Sequence, residues 1–311
     1  MNNLLRKNTY TEFKIVPHRH NKRIIEFVYT TNLIKKFLLQ TKQYSIQALE
    51  YNPFARFALA DALDKLTKKE ISLVLSKILH DRKCGCVIVR PDRNNYLKNK
   101  DKNIVKFSAA ISHLIGIPNF DSMAQKFYAR FTVAHSDKSD SYLRKAYIKM
   151  DLHTDGTYVS EKTDWVLMAK IYEKNCLGGQ TNLLHLDDWE DLNQFKNNPI
   201  GKENFVWNSP RSKNINYKVK HPVFSKGVNG NPTISYIDQF PEPETREQGS
   251  FLKKLSTSLE ASNYITKLEI LPGELILLNN NFWLHGREPF KKNKKLKREL
   301  LRQRGIFYKA T

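Results

Sequence analysis

Residues 267–285 read KLEILPGELILLNNNFWLH and carry the pattern that decides the fold. Two apolar runs are separated by Pro272-Gly273, and the second run passes through three asparagines before it ends at His285. Short apolar runs that are punctuated by Gly, Pro and Asn are typical of β-strands joined by tight turns. The stretch therefore predicts successive strands, with a histidine at the rim of the last one.

The same β texture extends outward over the chain from about residue 125. Further runs of this kind are KFYARFTVAH, TDWVLMAKIYE, QTNLLHL, PTISYIDQF and RQRGIFYKA, with Gly, Asn, Asp and Pro between them. Several short strands at this spacing predict a double-sheet barrel, the jelly roll or double-stranded β-helix.

The first third of the chain has a different pattern. Within residues 31–82, LIKKFLLQ, FARFALADALDKL and EISLVLSKILH have apolar residues at three-and-four spacing, which predicts helices. CVIVRP predicts a buried strand that ends at Pro91, and IVKFSAAISHLIGIP predicts a helix that ends at Gly116 and Pro118.

These patterns predict an α+β fold and one compound domain over residues 1–311. Residues 1–125 are expected to form a mainly helical support, packed outside a jelly-roll core of residues 126–311 that carries the functional site.

The net charge limits the classes of possible partner, and the cysteine content limits the possible cellular location. The chain has 311 residues and 52 Lys+Arg against 31 Asp+Glu, a net charge of +21. This excess is compatible with nucleic acid, an anionic membrane or an acidic small substrate, and also with a merely solvated surface. Cys84, Cys86 and Cys176 do not form a disulfide framework, and no apolar run has the length of a signal peptide or a membrane span. We expect a soluble cytoplasmic protein without a membrane partner.

A possible metal site begins at residues 151–160, DLHTDGTYVS. Strand side chains alternate, so His153 and Asp155 point to the same side and can bind one ion. A second histidine from a distant strand would complete a two-histidine, one-carboxylate face, which is diagnostic of oxygen-activating non-haem iron enzymes. His221, before Pro222, and His285 are the candidates for that third ligand, and the strand-end position of His285 favours it.

A second His-x-Asp, His185-Leu186-Asp187, occurs in LLHLDDWEDL. Its aspartates stand where a strand gives way to a helix, and Asp is a favoured N-cap residue. We therefore interpret this pair as structural.

Three protein ligands leave room for a chelating 2-oxo acid and for O2 on an octahedral iron. The far carboxylate of 2-oxoglutarate needs an arginine, because a planar guanidinium binds a carboxylate through two parallel hydrogen bonds. Arg302 and Arg304 alternate in the last strand, LLRQRGIFY, and Thr181 in GGQTNLLHL can add a hydroxyl group. We expect these three residues to bind the co-substrate.

The motifs together resemble one known family. YARF, SDSYLR, LHTDGTYV, TDWVLMAKIYE, GGQTNLLHLDDWE, YIDQF, LLNNNFWLHGRE and RELLRQRGIFY are similar to the carbon-starvation-induced glutarate 2-hydroxylases, from about residue 45 to the C-terminus. These enzymes are iron(II)/2-oxoglutarate-dependent dioxygenases that are related more distantly to taurine dioxygenase.

The resemblance implies an oxidoreductase of lysine degradation. Its reaction hydroxylates glutarate to (S)-2-hydroxyglutarate, while 2-oxoglutarate is oxidised by O2 to succinate and CO2. His153, Asp155 and His285 match the iron ligands, and the family implies no catalytic residue beyond them. Arg302 and Arg304 match the arginines that hold co-substrate and substrate, with the assignment between them open. The family also implies a homotetramer.

Two features remain open alongside this resemblance. The run KKNKKLKREL has six basic residues between Lys291 and Arg298, which fits a solvated loop, an attractor for dicarboxylates or a contact to nucleic acid. Tyr128 and Arg130, alternate residues of one strand, are candidates for binding glutarate.

Two alternative functions follow from the same residues. One is an oxygenase of this fold that acts on another small acid or on modified nucleic acid. The other is a basic binding module without a metal.

Overall fold

The computed structural model describes residues 10–93, 96–98, 100–122, 124–136, 145–209 and 218–309. The motif SDSYLR, residues 139–144, lies outside the described residues.

The helices and strands follow one another along the chain with most helices in the first part. The helices are α1 (Thr31–Gln40), α2 (Ile46–Tyr51), α3 (Pro53–Leu66), α4 (Glu70–His80), α5 (Asp101–Ile115), α6 (Leu192–Asn197) and α7 (Arg246–Ala261). The strands are β1 (Phe13–Pro17), β2 (Ile24–Tyr29), β3 (Cys86–Pro91), β4 (Gly116–Pro118), β5 (Ala129–Ala134), β6 (Met150–His153), β7 (Trp165–Lys174), β8 (Thr181–His185), β9 (Phe205–Asn208), β10 (Lys218–His221), β11 (Phe224–Lys226), β12 (Pro232–Ile234), β13 (Pro241–Glu242), β14 (Thr266–Leu268), β15 (Leu275–Asn279), β16 (Trp283–Arg287) and β17 (Lys297–Phe307).

Local chemistry accounts for the helix starts in the first third. The Thr30 hydroxyl accepts the backbone N–H of Leu33 at the start of α1, and the Asn52 side chain caps α3, which has Pro53 in its first turn. Both are favoured capping arrangements, because they satisfy N–H groups that have no partner within the helix. The predicted helices within residues 31–82, the strand at CVIVRP and the helix before Gly116 are confirmed.

Two of the four sheets among the described residues contribute side chains to one shared hydrophobic cluster. The larger sheet has eight strands in the order β1-β2-β3-β15-β7-β17-β4, with β5 also paired to β17. The smaller sheet has the order β14-β8-β16-β6. The first 125 residues therefore contribute four strands to the larger sheet, and this part completes the sheet as well as supporting it from outside.

The larger sheet has one face toward the helices and one toward the smaller sheet. Along β7, Leu167 and Ala169 belong to the core cluster that contains the residues of α1, α3, α4 and α5. Val166 belongs to a second cluster that also contains Leu183 of β8 and Leu284 of β16, with Met168 packed against it. Because strand side chains alternate, this division decides which residues of neighbouring β17 face the space between the sheets.

Among the described residues, no helix has both the length and the apolar character needed to span a membrane.

Candidate metal centre

Two histidines face each other across the ladder between β6 and β16. His285 is the direct cross-strand partner of His153, and the two ring centroids are 4.3 Å apart. Both side chains are buried, at 4% and 3% exposure. Directly opposed residues in an antiparallel pair project from the same face, so the pairing of two distant segments brings both imidazoles to one place.

Asp155 lies just beyond the end of β6, in a turn that is stabilised by hydrogen bonds to the side chain of Asn280. The backbone N–H of Asp155 donates to Asn280 Oδ1 at 2.9 Å. Asn280 Nδ2 donates in return to the carbonyl oxygens of Asp155 and Thr163, both at 2.9 Å. Gly156 follows with φ of +86°, and a Cβ there would lie 2.3 Å from Thr163 Oγ1. The turn therefore requires glycine at this position.

The three side chains form a candidate metal centre. One ligand atom each from His153, Asp155 and His285 lie within 4.8 Å of one another. His153 Nδ1 is 2.8 Å from the carbonyl oxygen of Asp151, so Nδ1 carries the proton and Nε2 is available to a metal. Two histidines and one carboxylate on one side of an ion leave positions open for further ligands.

Polar atoms without partners support this interpretation. Asp155 Oδ2 and His285 Nδ1 are buried with no hydrogen bond from any described residue, although Arg302 Nη1 lies 3.2 Å from Asp155 Oδ2 as an ion pair. Buried polar atoms cost free energy when they are unsatisfied. A bound cation with its own ligands fits this donor set.

The electrostatics keep the ligands in the forms that bind metals. Burial raises the pKa of Asp155, but the charge of Arg302, with smaller electrostatic contributions from His285, His153 and Arg304, outweighs burial and lowers that pKa overall. Burial lowers the pKa of His285 to about 3, with a further contribution from His153. An ionised carboxylate and a neutral imidazole are the states that coordination requires.

Arg302 and Arg304 both approach this centre from β17. Their cross-strand partners on β7 are Met168 and Val166, which face the space between the sheets. Arg302 Nη1 donates to Asp155 Oδ1 at 3.3 Å. Arg304 Nη1 lies 3.5 Å from the position that a Cβ on Gly156 would occupy.

Thr181 lies on the same face of the smaller sheet as the histidines. It is the cross-strand partner of Arg287, while Leu183 is the partner of His285. The side chain of Thr181 is buried at 7% exposure. It is thus placed beside the centre and displaced from it by two residues along the strands.

The basic run contains a buried arginine that the sequence interpretation missed. Lys291, Lys292, Lys294 and Lys295 are exposed, as expected of a solvated loop, but Arg298 is 3% exposed. Its Nη1 donates to the carbonyl oxygen of Gly179 at 2.6 Å, while its Nε has no partner among the described residues. A cavity of about 170 Å³ adjoins it, lined also by Lys170 and Gly179. In RELLRQR, residues 298–304, Arg298 stands an even number of positions before Arg302 and Arg304, and this two-residue period is the signal that could have identified it.

Tyr128 and Arg130 are not brought to the centre. Arg130 pairs with Leu301 and the intervening Ala129 pairs with Arg302, so Arg130 projects from the opposite face of the sheet. It forms ion pairs with Glu299 and Asp101. Tyr128 donates its hydroxyl hydrogen to Glu50 Oε1 at 2.6 Å. The prediction of glutarate contacts by these two residues finds no support in this geometry, because the face of a strand depends on its register with β17.

Two other residues near Arg302 were not predicted. Asp121 Oδ2 accepts a hydrogen bond from Arg302 Nη2 at 3.1 Å. Tyr158 is partly buried, and burial raises the pKa of its hydroxyl, while the charge of Arg302 lowers that pKa and the charge of Asp155 raises it. Tyr158 lies within the motif LHTDGTYV, so its nearness to Asp155 was readable from the sequence, whereas that of Asp121 was not.

The remaining His candidates have other roles. His185 Nδ1 accepts the N–H of Asp187 at 3.1 Å, so the histidine caps the short turn where an aspartate cap was expected. Asp187 is bound by Arg82 through Nε and Nη2 at 2.9 and 2.6 Å. Both ring nitrogens of His221 face carbonyl oxygens, of Pro222 at 2.9 Å and Thr157 at 2.7 Å. His185 and His221 are therefore held by contacts within the fold.

Comparison with known proteins adds an independent observation. A family model described as CsiD matches residues 13–307. The chain is 43% identical to the glutarate 2-hydroxylase of Klebsiella pneumoniae (strain 342), over 97% of this chain and 93% of the relative. It is 42% identical to the glutarate 2-hydroxylase of Citrobacter koseri, over 96% and 92% of the two chains.

A solved structure supports the fold. The asparagine oxygenase crystallised with Fe(II), 2S,3S-3-hydroxyasparagine and succinate superposes with a TM-score of 0.69 at 14% identity, covering 88% of this chain and 90% of that chain. At this level of identity the similarity concerns the fold alone.

Proposed function

The chain belongs to the CsiD family, and on that premise we propose that it is an iron(II)- and 2-oxoglutarate-dependent oxygenase that hydroxylates glutarate at C2. One oxygen atom of O2 enters the new hydroxyl group of (S)-2-hydroxyglutarate, and the other enters succinate as 2-oxoglutarate loses CO2. The names of the relatives support the substrate, and the metal centre supports the class of reaction.

The convergence of His153, Asp155 and His285 within 4.8 Å is the single observation that carries the proposal. When bound there, iron(II) supplies the activation of O2 that carbon hydroxylation needs. The protein holds the two acids so that one C–H group of glutarate faces the reacting oxygen, and it limits side reactions by excluding water.

We propose that Arg298 and Thr181 bind the far carboxylate of 2-oxoglutarate. A co-substrate that chelates iron through its C1 carboxylate and C2 keto oxygen has its C5 carboxylate two methylene groups further away. Arg302 touches Asp155 and is therefore too near the metal for that role. Arg298 lies four residues earlier in β17, roughly 13 Å along the strand, and contacts Gly179, two residues before Thr181.

With Arg298 assigned to 2-oxoglutarate, Arg302 and Arg304 are available to bind a carboxylate of glutarate, the acid that is hydroxylated. Their guanidinium groups adjoin Asp155 and Gly156, where a carboxylate next to the reacting carbon would sit. Tyr158 adds a hydroxyl group in the same region. This division modifies the expectation that Arg302 and Arg304 both bind the co-substrate, while Thr181 keeps the role expected for it.

We further propose that the two facing sheets form the double-stranded β-helix and that residues 1–311 constitute one compound domain. The apolar cluster shared by both sheets supports this architecture. A homotetramer is proposed from the sequence resemblance, with support from exposed apolar residues such as Tyr51 and Phe54, which are 80% and 82% exposed. A cytoplasmic location is proposed because Cys84, Cys86 and Cys176 are all free thiols.

The test is product analysis with the purified protein, Fe(II), 2-oxoglutarate and O2. With glutarate present, the proposal predicts succinate and (S)-2-hydroxyglutarate in equal amounts. Other small acids and a modified oligonucleotide serve as competing substrates. Hydroxylation of one of these, with glutarate left unchanged, would contradict the proposed substrate but retain the oxygenase class.

A further inference from the structure

Arg302 is held on three sides. Its Nη1 contacts Asp155 at 3.3 Å and its Nη2 contacts Asp121 at 3.1 Å. The guanidinium carbon also lies 4.7 Å from the centroid of the Phe131 ring. A planar guanidinium with one face on a ring and two nitrogens bound has a fixed plane and a fixed rotation within that plane.

The two carboxylates that contact Arg302 differ in their relation to the candidate metal centre, because only Asp155 belongs to it. Asp155 is the proposed iron ligand, so a bound cation competes with Arg302 for its oxygens. Asp121 is not a member of the three-residue group that could hold a metal, and its side chain is mostly buried at 12% exposure. In the iron-loaded protein the orientation of Arg302 then depends on Asp121 and on the Phe131 ring.

Asp121 also has a role in its own loop. Its Oδ1 accepts the backbone N–H of Ala124 at 3.0 Å, while Oδ2 faces Arg302. Oδ1 thus stabilises the conformation of the loop, and Oδ2 binds the guanidinium of Arg302. An amide at this position retains an acceptor for Ala124 and removes the charge.

We propose that Asp121 is a positioning residue that orients Arg302 for the substrate carboxylate. The inference rests on the proposed function and deepens it. With Nη2 fixed on Asp121, Arg302 presents its remaining N–H groups to glutarate in one direction. That direction determines which carbon faces the metal, and a small displacement of a reacting carbon strongly lowers the rate of its reaction.

Loss of this hold has a specific consequence. Glutarate binds more weakly and in more than one orientation, so 2-oxoglutarate is consumed without matching hydroxylation of glutarate. Binding of 2-oxoglutarate itself is unchanged, because its far carboxylate is assigned to Arg298. In β17, Leu300 separates Arg298 from Arg302 on the same face of the strand.

The experiment compares Asp121→Asn and Asp121→Ala with the wild type and with Asp101→Asn. Asp101 pairs with Arg130 at 2.8 Å on the opposite face of the same strands and is the matched control. The readouts are the KM values for glutarate and 2-oxoglutarate, the ratio of succinate to 2-hydroxyglutarate, and the anaerobic Kd of glutarate in the presence of Fe(II) and 2-oxoglutarate. Melting temperatures check that each variant is folded.

Both Asp121 variants are expected to raise the KM and the anaerobic Kd for glutarate about tenfold or more, the size expected when a charge-assisted contact is lost. Succinate should exceed 2-hydroxyglutarate, and the KM for 2-oxoglutarate should stay within about twofold of the wild type. The Asp101 variant should behave as the wild type.

Other results overturn the inference. An effect of Asp121→Ala that is absent from Asp121→Asn would assign the residue to the loop alone. Equal increases in both KM values would contradict a role at the substrate. A wild type that does not hydroxylate glutarate would overturn the proposed function and this inference with it, whereas an active wild type with an unaltered Asp121→Asn would overturn only the inference.

Discussion

His153 and His285 are direct cross-strand partners although 132 positions separate them in the sequence, and their ring centroids are 4.3 Å apart. The register of β6 against β16 therefore sets the distance between two of the three proposed metal ligands. A shift of one residue would turn one imidazole to the other face of the sheet. The centre thus depends on the pairing of the smaller sheet as much as on the identity of its ligands.

Removal of a proposed ligand should abolish iron binding. His153→Ala or Asp155→Ala is expected to lower iron-dependent succinate release by more than about 100-fold, since loss of an outer partner of a ligand already costs about 10–100-fold. Anaerobic Fe(II) titration and succinate assays measure this. Asp187→Asn, in the other His-x-Asp, is the control and should retain iron binding and turnover. Near-normal turnover of either ligand variant would contradict the assignment.

Asn280→Ala tests how the turn of Asp155 is held. The change removes three hydrogen bonds, to the backbone of Asp155 and to the carbonyl oxygen of Thr163. We expect iron affinity to fall about 10–100-fold and the free energy of unfolding to fall by about 2 kcal/mol or more, because buried backbone groups lose their partners. Metal titration and urea unfolding check the two effects. Unchanged iron affinity in a destabilised variant would show that Asn280 supports the fold only.

Arg298→Gln tests the proposed anchor for 2-oxoglutarate. A lost charge-assisted pair should raise the KM for 2-oxoglutarate about tenfold or more, with a smaller effect on the KM for glutarate. Lys297→Gln, the exposed neighbour, is the matched control and should change neither constant. If Arg302→Gln raised the KM for 2-oxoglutarate while Arg298→Gln did not, the two arginines would have to be exchanged in the proposal.

The stability of the protein should fall in mild acid because of buried neutral histidines. Burial lowers the pKa of His113 to about 4, while the Ala109 carbonyl acts in the opposite direction. An unfolded chain takes up a proton near pH 6.5 and the folded one does not. Stability is thus complete above about pH 6.5 and is lost as the pH falls toward 4, by about 1.4 kcal/mol per pH unit for this residue.

Urea unfolding at pH 7 and pH 5 of the wild type and of His113→Gln measures this contribution. The variant should lose about 2 kcal/mol less between these pH values than the wild type does. Equal losses would show that His113 titrates normally in the folded protein.

The sequence predicted the helices and strands because they depend on local periodicity, and it predicted the three candidate metal ligands that the structure brings together. Helical spacing within residues 31–82 and alternation in the later runs are properties of neighbouring residues. His153 and Asp155 were readable as one pair for the same reason. The position of His285 at the end of an apolar strand distinguished it from His221.

What the sequence could not provide was the register between distant strands. Arg130 and Arg302 both lie within predicted strands, yet pairing of Ala129 with Arg302 places Arg130 on the opposite face of the sheet. Arg298 was hidden by the lysines before it, since burial depends on where the solvated loop gives way to β17. Asp121 comes from an irregular loop, for which no periodic pattern exists.

The most direct test of the account is an anaerobic crystal structure with Fe(II) and 2-oxoglutarate, examined for anomalous scattering at the iron edge. The account predicts one iron peak in contact with His153 Nε2, a carboxylate oxygen of Asp155 and a ring nitrogen of His285. An iron peak elsewhere, or one to which His285 does not coordinate, would contradict it.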